Sequence, residues 1–223
     1  MKLRASLVVI MAALGGAAAL AAPYGPTAAT PATYDGLVAV QVRNLDKLYV
    51  RPNADLARYQ AVMIDPATVE FSKEWDRSVN DPRYTTRIRP EDARRIADET
   101  TANLGGILAD ALTKRGYQIV TAPGPGVLRL SPHVTDLYVN APDILPPGRT
   151  RSFARDAGEA TVTLEARDAS DGTLVAVISD HATAQDMLRL SRATNVTNTF
   201  WFDGMFKRFA ANGVDVLKNP PRT

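Results

Sequence analysis

Cysteine is absent from the 223-residue chain, and this absence excludes several classes of protein at once. No disulfide can stabilise the fold, and no thiolate can serve as a nucleophile or a metal ligand. The acylated cysteine of bacterial lipoproteins is missing as well, so an anchor of that kind is not expected. Stability must come from an apolar core, which a chain of this length is long enough to build.

Histidine is nearly as scarce, since His133 and His181 are the only two. Any histidine-based catalysis must use one of them, and a periplasmic hydrolase that does so is kept as one functional hypothesis. Ser131 and Asp136 lie near His133 in the sequence, but a strand would direct Ser131 and His133 to one face and Asp136 to the other. No Gly-x-Ser-x-Gly elbow occurs either. The pattern argues against a catalytic triad, and we assign no catalytic residue.

Metal and cofactor motifs are also missing. The sequence has no His-x-x-x-His pair, and its acidic residues do not have the spacing of a calcium loop. The Gly- and Pro-rich segment 123–126 lacks the Gly-Lys-Ser/Thr of a phosphate loop, and the pattern after it predicts a strand instead of a helix. We therefore predict a hairpin turn at this segment, no metal site and no cofactor.

The longest apolar run lies at the start of the chain. Residues Leu7 to Ala21 carry no charge and follow Lys2 and Arg4, which predicts a secretory signal peptide over residues 1–21. The run is too short and too rich in alanine to span a bilayer. Without Lys2 and Arg4 the basic residues fall from 26 to 24, equal to the acidic residues. The mature chain is therefore expected to be periplasmic or secreted, without a transmembrane anchor and without the basic excess that nucleic-acid binding needs.

Apolar periodicity in the rest of the chain predicts a linker at 22–33 and one α+β domain at 34–218. Two helices are expected, one at 90–115 that ends at Gly116, and one at 198–217 that Asn198 caps. Their apolar faces and the alternation in the strands predict a mostly antiparallel sheet covered on one face by these two helices. Strands are predicted at 37–42, 48–50, 59–71, 117–121, 127–139, 159–167 and 174–184.

Proline and glycine indicate where these elements are interrupted. Asp65-Pro66 predicts a break within the strand at 59–71, and Pro132 predicts a bulge or an edge position. Asp171-Gly172 is typical of a two-residue hairpin turn. Gly105-Gly106 within the first helix predicts that another element packs closely against it. The polar segment 72–89 is expected to be irregular.

One loop is the best candidate for a partner surface. Apolar residues on a Pro-rich loop either pack at the edge of the core or contact a partner, and nearby arginines can bind acidic groups. The predicted partner is an envelope protein or an anionic envelope component. A solvated arginine face is the alternative interpretation. The candidate surface consists of Ile144, Leu145, Arg149, Arg151 and Arg155.

Several short motifs are similar to those of a known bacterial family. They include Tyr34-Asp35-Gly36-Leu37, Tyr49-Val50-Arg51-Pro52 and the run from Asp136 to Asp143. With them the sequence resembles domain-of-unknown-function family 3313, whose members are described as envelope lipoproteins. The resemblance implies an envelope protein but assigns no catalytic or binding residue. Together these observations predict a non-catalytic binding or accessory module, with the hydrolase and a small-ligand carrier as alternatives.

Overall fold

The structure is a computed structural model that describes residues 34, 36–79, 89–139, 153–154, 156–185, 191–192 and 195–220. The predicted signal peptide and linker lie outside the described residues. The strands are β1 (Val38–Val40), β2 (Lys47–Val50), β3 (Ala61–Ile64), β4 (Thr68–Phe71), β5 (Gln118–Ile119), β6 (Val127–Val139), β7 (Phe153–Ala154), β8 (Asp156–Asp168), β9 (Leu174–Gln185) and β10 (Ser191–Arg192). Eight of them form one sheet in the order β1-β2-β9-β8-β6-β3-β5, with β4 also pairing with β6, while β7 and β10 form a separate pair.

Three long antiparallel strands, β6, β8 and β9, form the centre of the sheet. Their side chains alternate between apolar and polar, so that one set of residues is buried and the other faces outward. The predicted hairpin between β8 and β9 is confirmed, although its turn spans residues 169–172 instead of two residues. Gly172 adopts a φ of 75° in this turn, a conformation that glycine reaches without steric cost.

The predicted break at Asp65-Pro66 is confirmed, because it separates β3 from β4. Both strands run parallel to β6, with Ile64 opposite Leu130 and Thr68 opposite His133. Pro132 therefore lies opposite the gap between β3 and β4. Proline has no N–H to donate, and at this gap no ladder hydrogen bond is required of it. The predicted edge position at Pro132 is confirmed on this side, because no pair between β6 and β3 or β4 forms there. The register of β6 against β8 shifts further along, between Thr135 and Tyr138.

The bulge in β6 contains Asp136, which has a φ of 53°. Across from it, Gly158 has a φ of 134°, and a Cβ built there would lie 1.7 Å from the carbonyl oxygen of Tyr138. No residue other than glycine fits at that point. The bulge also interrupts the alternation of side chains between the two faces of β6. The face predicted for Asp136 from that alternation therefore does not follow.

Helices cover one face of the sheet, as predicted, and the protein is a single α+β domain. The helices are α1 (Lys73–Val79), α2 (Pro90–Lys114) and α3 (Asn195–Lys218), and a short 3-10 helix spans Leu56–Arg58. Leucines of α2 and aromatic residues of α3 share one apolar core with the inward residues of the sheet. Burial of each such side chain stabilises the folded state by about 1.5–3 kcal/mol. Among the described helices, none combines the length and the apolar composition that a bilayer crossing requires.

Four local predictions are wrong for identifiable reasons. Residues 73–79 are helical because Trp75 packs on Phe71 and donates from Nε1 to the carbonyl of Val139 at 3.0 Å. Helix α3 begins at Asn195, so Asn198 lies within it and does not cap it. A Cβ on Gly105 or Gly106 would meet nothing within 4 Å, so no element packs closely there. Segment 123–126 is not a hairpin turn, because β5 and β6 both pair in parallel with β3.

Candidate functional site: the outer face of the sheet

The sheet has two faces of opposite character. On its inner face, Leu130, Val134 and Leu164 are fully buried under the helices. Side chains next to these buried residues along each strand, such as Ser131 on β6 and Thr163 on β8, point to the opposite face and are partly exposed. We call this second surface the outer face. The segment around Leu37 packs on part of it.

That segment covers one end of the outer face. Leu37 packs with Tyr49, Leu174 and Val177 in a small apolar cluster that is separate from the main core. Tyr34 adds an edge-to-face contact with Tyr49, with ring centroids 4.9 Å apart and an interplanar angle of 66°. Tyr34 as a whole residue is nevertheless 43% exposed. The outer face thus carries an accessible aromatic group at this end.

A row of polar residues crosses the middle of the outer face. Each member lies in direct register with the next, so the row runs across five strands from β4 through β6, β8 and β9 to β2. Hydrogen bonds join Thr68 Oγ1 to His133 Nδ1 at 2.8 Å and Thr163 Oγ1 to Ser179 Oγ at 3.1 Å. We call these residues the polar row: Thr68, His133, Thr163, Ser179 and Lys47.

Asp65 forms a charged cluster beside the polar row. Its carboxylate accepts from Arg129 Nε at 2.8 and 3.0 Å and from the Ser131 hydroxyl at 2.6 Å. Burial raises the pKa of Asp65, but the hydrogen bonds from Arg129 and Ser131 and the charges of Arg129 and His133 outweigh this effect, so the pKa lies below its usual value. Asp65 is therefore ionised at neutral pH, and Ser131 donates to it directly.

The second histidine lies on the same face, on β9. His181 Nδ1 shares a hydrogen bond of 3.1 Å with Thr161 Oγ1, and its Nε2 lies 3.8 Å from Glu159. Its backbone N–H donates to Asp46 at 2.9 Å, and the N–H of Asp46 donates to Asp180 at 3.2 Å. Burial, followed by the charge of Asp46, raises the pKa of Asp180. These contacts fix the loop before β2 against β9.

A third polar cluster lies at the end of β8 and is structural in character. Asp168 is only 4% exposed, and it accepts from the backbone and hydroxyl of Ser170, from the Tyr59 hydroxyl and from Arg58. The bonds from Ser170 contribute most to lowering the pKa of Asp168 to about 2, and Tyr59 and Arg58 add to the effect. The cluster ties the β8–β9 hairpin to the start of β3.

The structure separates the residues that the sequence placed together. His133 and His181 lie on β6 and β9, with β8 between them. Ser131 is bonded to Asp65 and not to an imidazole, while Asp136 lies in the bulge. The predicted partner surface falls outside the described residues: Ile144, Leu145, Arg149, Arg151 and Arg155. Among the residues that the structure describes, no three His, Cys, Asp or Glu side chains are grouped so that they could hold a metal ion.

Sequence reasoning missed Asp65 and most of the polar row. Their strands are far apart in the sequence, and only the pairing of β4, β6, β8, β9 and β2 brings them together. The one available signal was the alternation of Thr and Ser with apolar residues in β8 and β9, which marks a polar face but not its register.

Comparison with known proteins places the chain in a family. Among solved structures, a PelC dodecamer from Paraburkholderia phytofirmans has 15% identity and a TM-score of 0.40, covering 76% of this chain and 97% of that chain. Protein XCC0632 from Xanthomonas campestris, of family DUF330, has 13% identity and a TM-score of 0.41, covering 74% of this chain and 87% of its own. No curated protein matches the sequence. Residues 27–210 match the family described as "Protein of unknown function (DUF3313)", and the chain belongs to that family.

Proposed function

We propose that the protein is a non-catalytic binding module of the bacterial envelope and that it engages its partner through the outer face. The observation that carries this proposal is the polar row, which presents hydroxyl, imidazole and ammonium groups in register across five strands. A surface of this kind offers many hydrogen bonds over a broad area.

Cross-strand contacts hold these side chains in place. The bonds Thr68–His133 and Thr163–Ser179 fix rotamers before any partner arrives, and the pair Asp65–Arg129 does the same beside them. A surface that is ordered in advance loses less conformational entropy on binding. This supports recognition by a rigid face on the sheet.

The proposed location is the periplasm or the cell exterior. The apolar run from Leu7 to Ala21 after Lys2 and Arg4 supports export, and the absence of cysteine is inconsistent with an acyl anchor of the lipobox type. Osmotic shock of cells tests this location. Release of the protein is expected, and retention in the cytoplasmic fraction would contradict the proposal.

Crosslinking in living cells tests the use of the outer face. A photoreactive phenylalanine at Glu159, which is exposed on the outer face, is compared with one at Ala102, which is exposed on α2. We expect a discrete adduct from position 159 and none from position 102. Adducts from position 102 alone would overturn the proposal.

The hydrolase hypothesis is separated from binding by replacing both imidazoles with amides. His133→Gln together with His181→Gln keeps hydrogen-bonding side chains but removes groups that can transfer protons near neutral pH. Because His133 belongs to the polar row, the double variant is expected to weaken partner binding only in part and to keep the crosslinked adduct from position 159. Loss of the cellular phenotype in a folded variant that still forms this adduct would favour catalysis by one of these histidines.

A further inference from the structure

We propose that the partner of the outer face is a neutral, extended polysaccharide chain that lies across the strands along the polar row. This inference rests on the proposed function and specifies the chemistry of the ligand. It follows from the spacing of the row, from the charges around it and from the aromatic residue near one end.

The spacing of the polar row favours a linear ligand rich in hydroxyl groups. Neighbouring strands lie about 4.8 Å apart, so the row repeats a polar side chain at about that interval. This interval is close to the length of one hexose in an extended chain. Each of Thr68, Thr163 and Ser179 can both donate and accept a hydrogen bond, as a sugar hydroxyl does.

The charges beside the row favour a neutral ligand over an anionic one. Arg129 is paired with Asp65 at 2.8 Å, and Arg167 with Glu165 at 2.9 Å. An anionic polymer is bound by cations that are free to contact it, and these two guanidinium groups already have carboxylate partners. Lys47, the cation at the end of the row, can donate three hydrogen bonds to neutral hydroxyls.

An exposed aromatic ring completes the surface. Tyr34 rests on Tyr49, which lies two residues beyond Lys47 on the same face of β2. The apolar face of such a ring can cover the C–H groups of a sugar while the phenol contacts a hydroxyl. The aromatic ring can therefore contact the C–H groups of a sugar chain, while the hydroxyl groups of the polar row bind its O–H groups.

Calorimetric titration of the full chain tests the proposal, with cellohexaose, chitohexaose and maltohexaose as neutral probes and hexagalacturonate as the anionic probe. We expect at least one neutral hexamer to bind. Thr163→Val should weaken that binding about three- to tenfold, since it removes one hydroxyl from the row and keeps the β-branched shape. The control is Thr113→Val on the exposed surface of α2, which removes a hydroxyl away from the outer face and should leave affinity unchanged.

Three results would overturn the glycan inference. They are failure of all three neutral hexamers to bind, tighter binding of hexagalacturonate than of any neutral hexamer, and equal affinities for wild type and Thr163→Val. If the neutral hexamers fail while the position-159 crosslink forms an adduct, the outer face still binds a partner of another class. If that crosslink is also absent, the proposed function fails with the glycan inference.

Discussion

Leu164 and Thr163 are neighbours on β8, yet their side chains lie on opposite faces of the sheet. Leu164 is completely buried in the core under the helices, whereas Thr163 is partly exposed and bonded to Ser179. The inner face is stabilised by apolar burial, which has no directional requirement. The outer face is organised by specific pairs between strands. One strand therefore supplies stability with one set of residues and the proposed recognition surface with the other.

Truncating Leu164 should have the largest effect on stability. Leu164→Ala removes buried methyl groups and leaves a cavity between sheet and helices, and we expect the free energy of unfolding to fall by about 2–5 kcal/mol. Chemical denaturation measures the loss. Thr163→Val is the matched control on the same strand, with an expected loss of about 1 kcal/mol or less, since it removes only the hydrogen bond to Ser179. Equal losses in the two variants would show that the two faces do not differ in their contribution to stability.

Replacing Asp168 should give the next largest effect and a clear dependence on pH. Its pKa is lowered to about 2, so its contribution is present above the unfolded-state pKa and is lost as the pH falls through about 2. We expect Asp168→Asn to reduce the free energy of unfolding at neutral pH by about 2 kcal/mol. Unfolding curves at pH 7 and pH 2 measure the effect. The difference between wild type and variant should shrink at the lower pH, and a constant difference would contradict this assignment.

Replacing Asp65 should reduce the free energy of unfolding by less than replacing Asp168, because its partner Arg129 is half exposed. Asp65→Asn keeps an acceptor for Ser131 but removes the charge, with an expected loss of about 1 kcal/mol at neutral pH. The lowered pKa of Asp65 means that this loss also fades as the pH falls below the usual range of a carboxyl group. Thermal unfolding of the variant measures the change. A loss as large as that of Asp168→Asn would show that the outer face contributes to stability as much as the buried cluster does.

The two faces also differ in how far the sequence predicts them. The alternation of Ala160, Val162, Leu164 and Ala166 predicts the inner face correctly, and each of these residues is buried. Both long helices follow from their apolar periodicity in the same way. The break at Asp65-Pro66 is predicted as well, because proline cannot donate to a ladder.

The composition of the outer face depends on register, which alternation does not determine. Thr68 lies opposite His133 only because β4 pairs in parallel with β6 after the break at Asp65-Pro66. Asp65 reaches Ser131 for the same reason, whereas sequence proximity had pointed to Asp136. Pairing between distant strands is set by the whole sheet, and short sequence patterns do not report it.

The smallest expected effect belongs to Asp180, where two carboxylates lie close together. Burial and the charge of Asp46 raise the pKa of Asp180, so its ionised form destabilises the folded state as the pH rises from the unfolded-state pKa through the higher folded value. Asp180→Asn keeps an acceptor for the N–H of Asp46 but carries no charge. We expect it to raise the free energy of unfolding at neutral pH by a few tenths of a kcal/mol, about the size of an ordinary surface substitution. Thermal midpoints at pH 7 and pH 3 measure this gain, which should disappear at pH 3 because Asp180, with its raised pKa, is then largely protonated. A loss of stability at pH 7 would instead show that the attraction between Asp180 and the guanidinium of Arg208 outweighs the burial and the repulsion from Asp46.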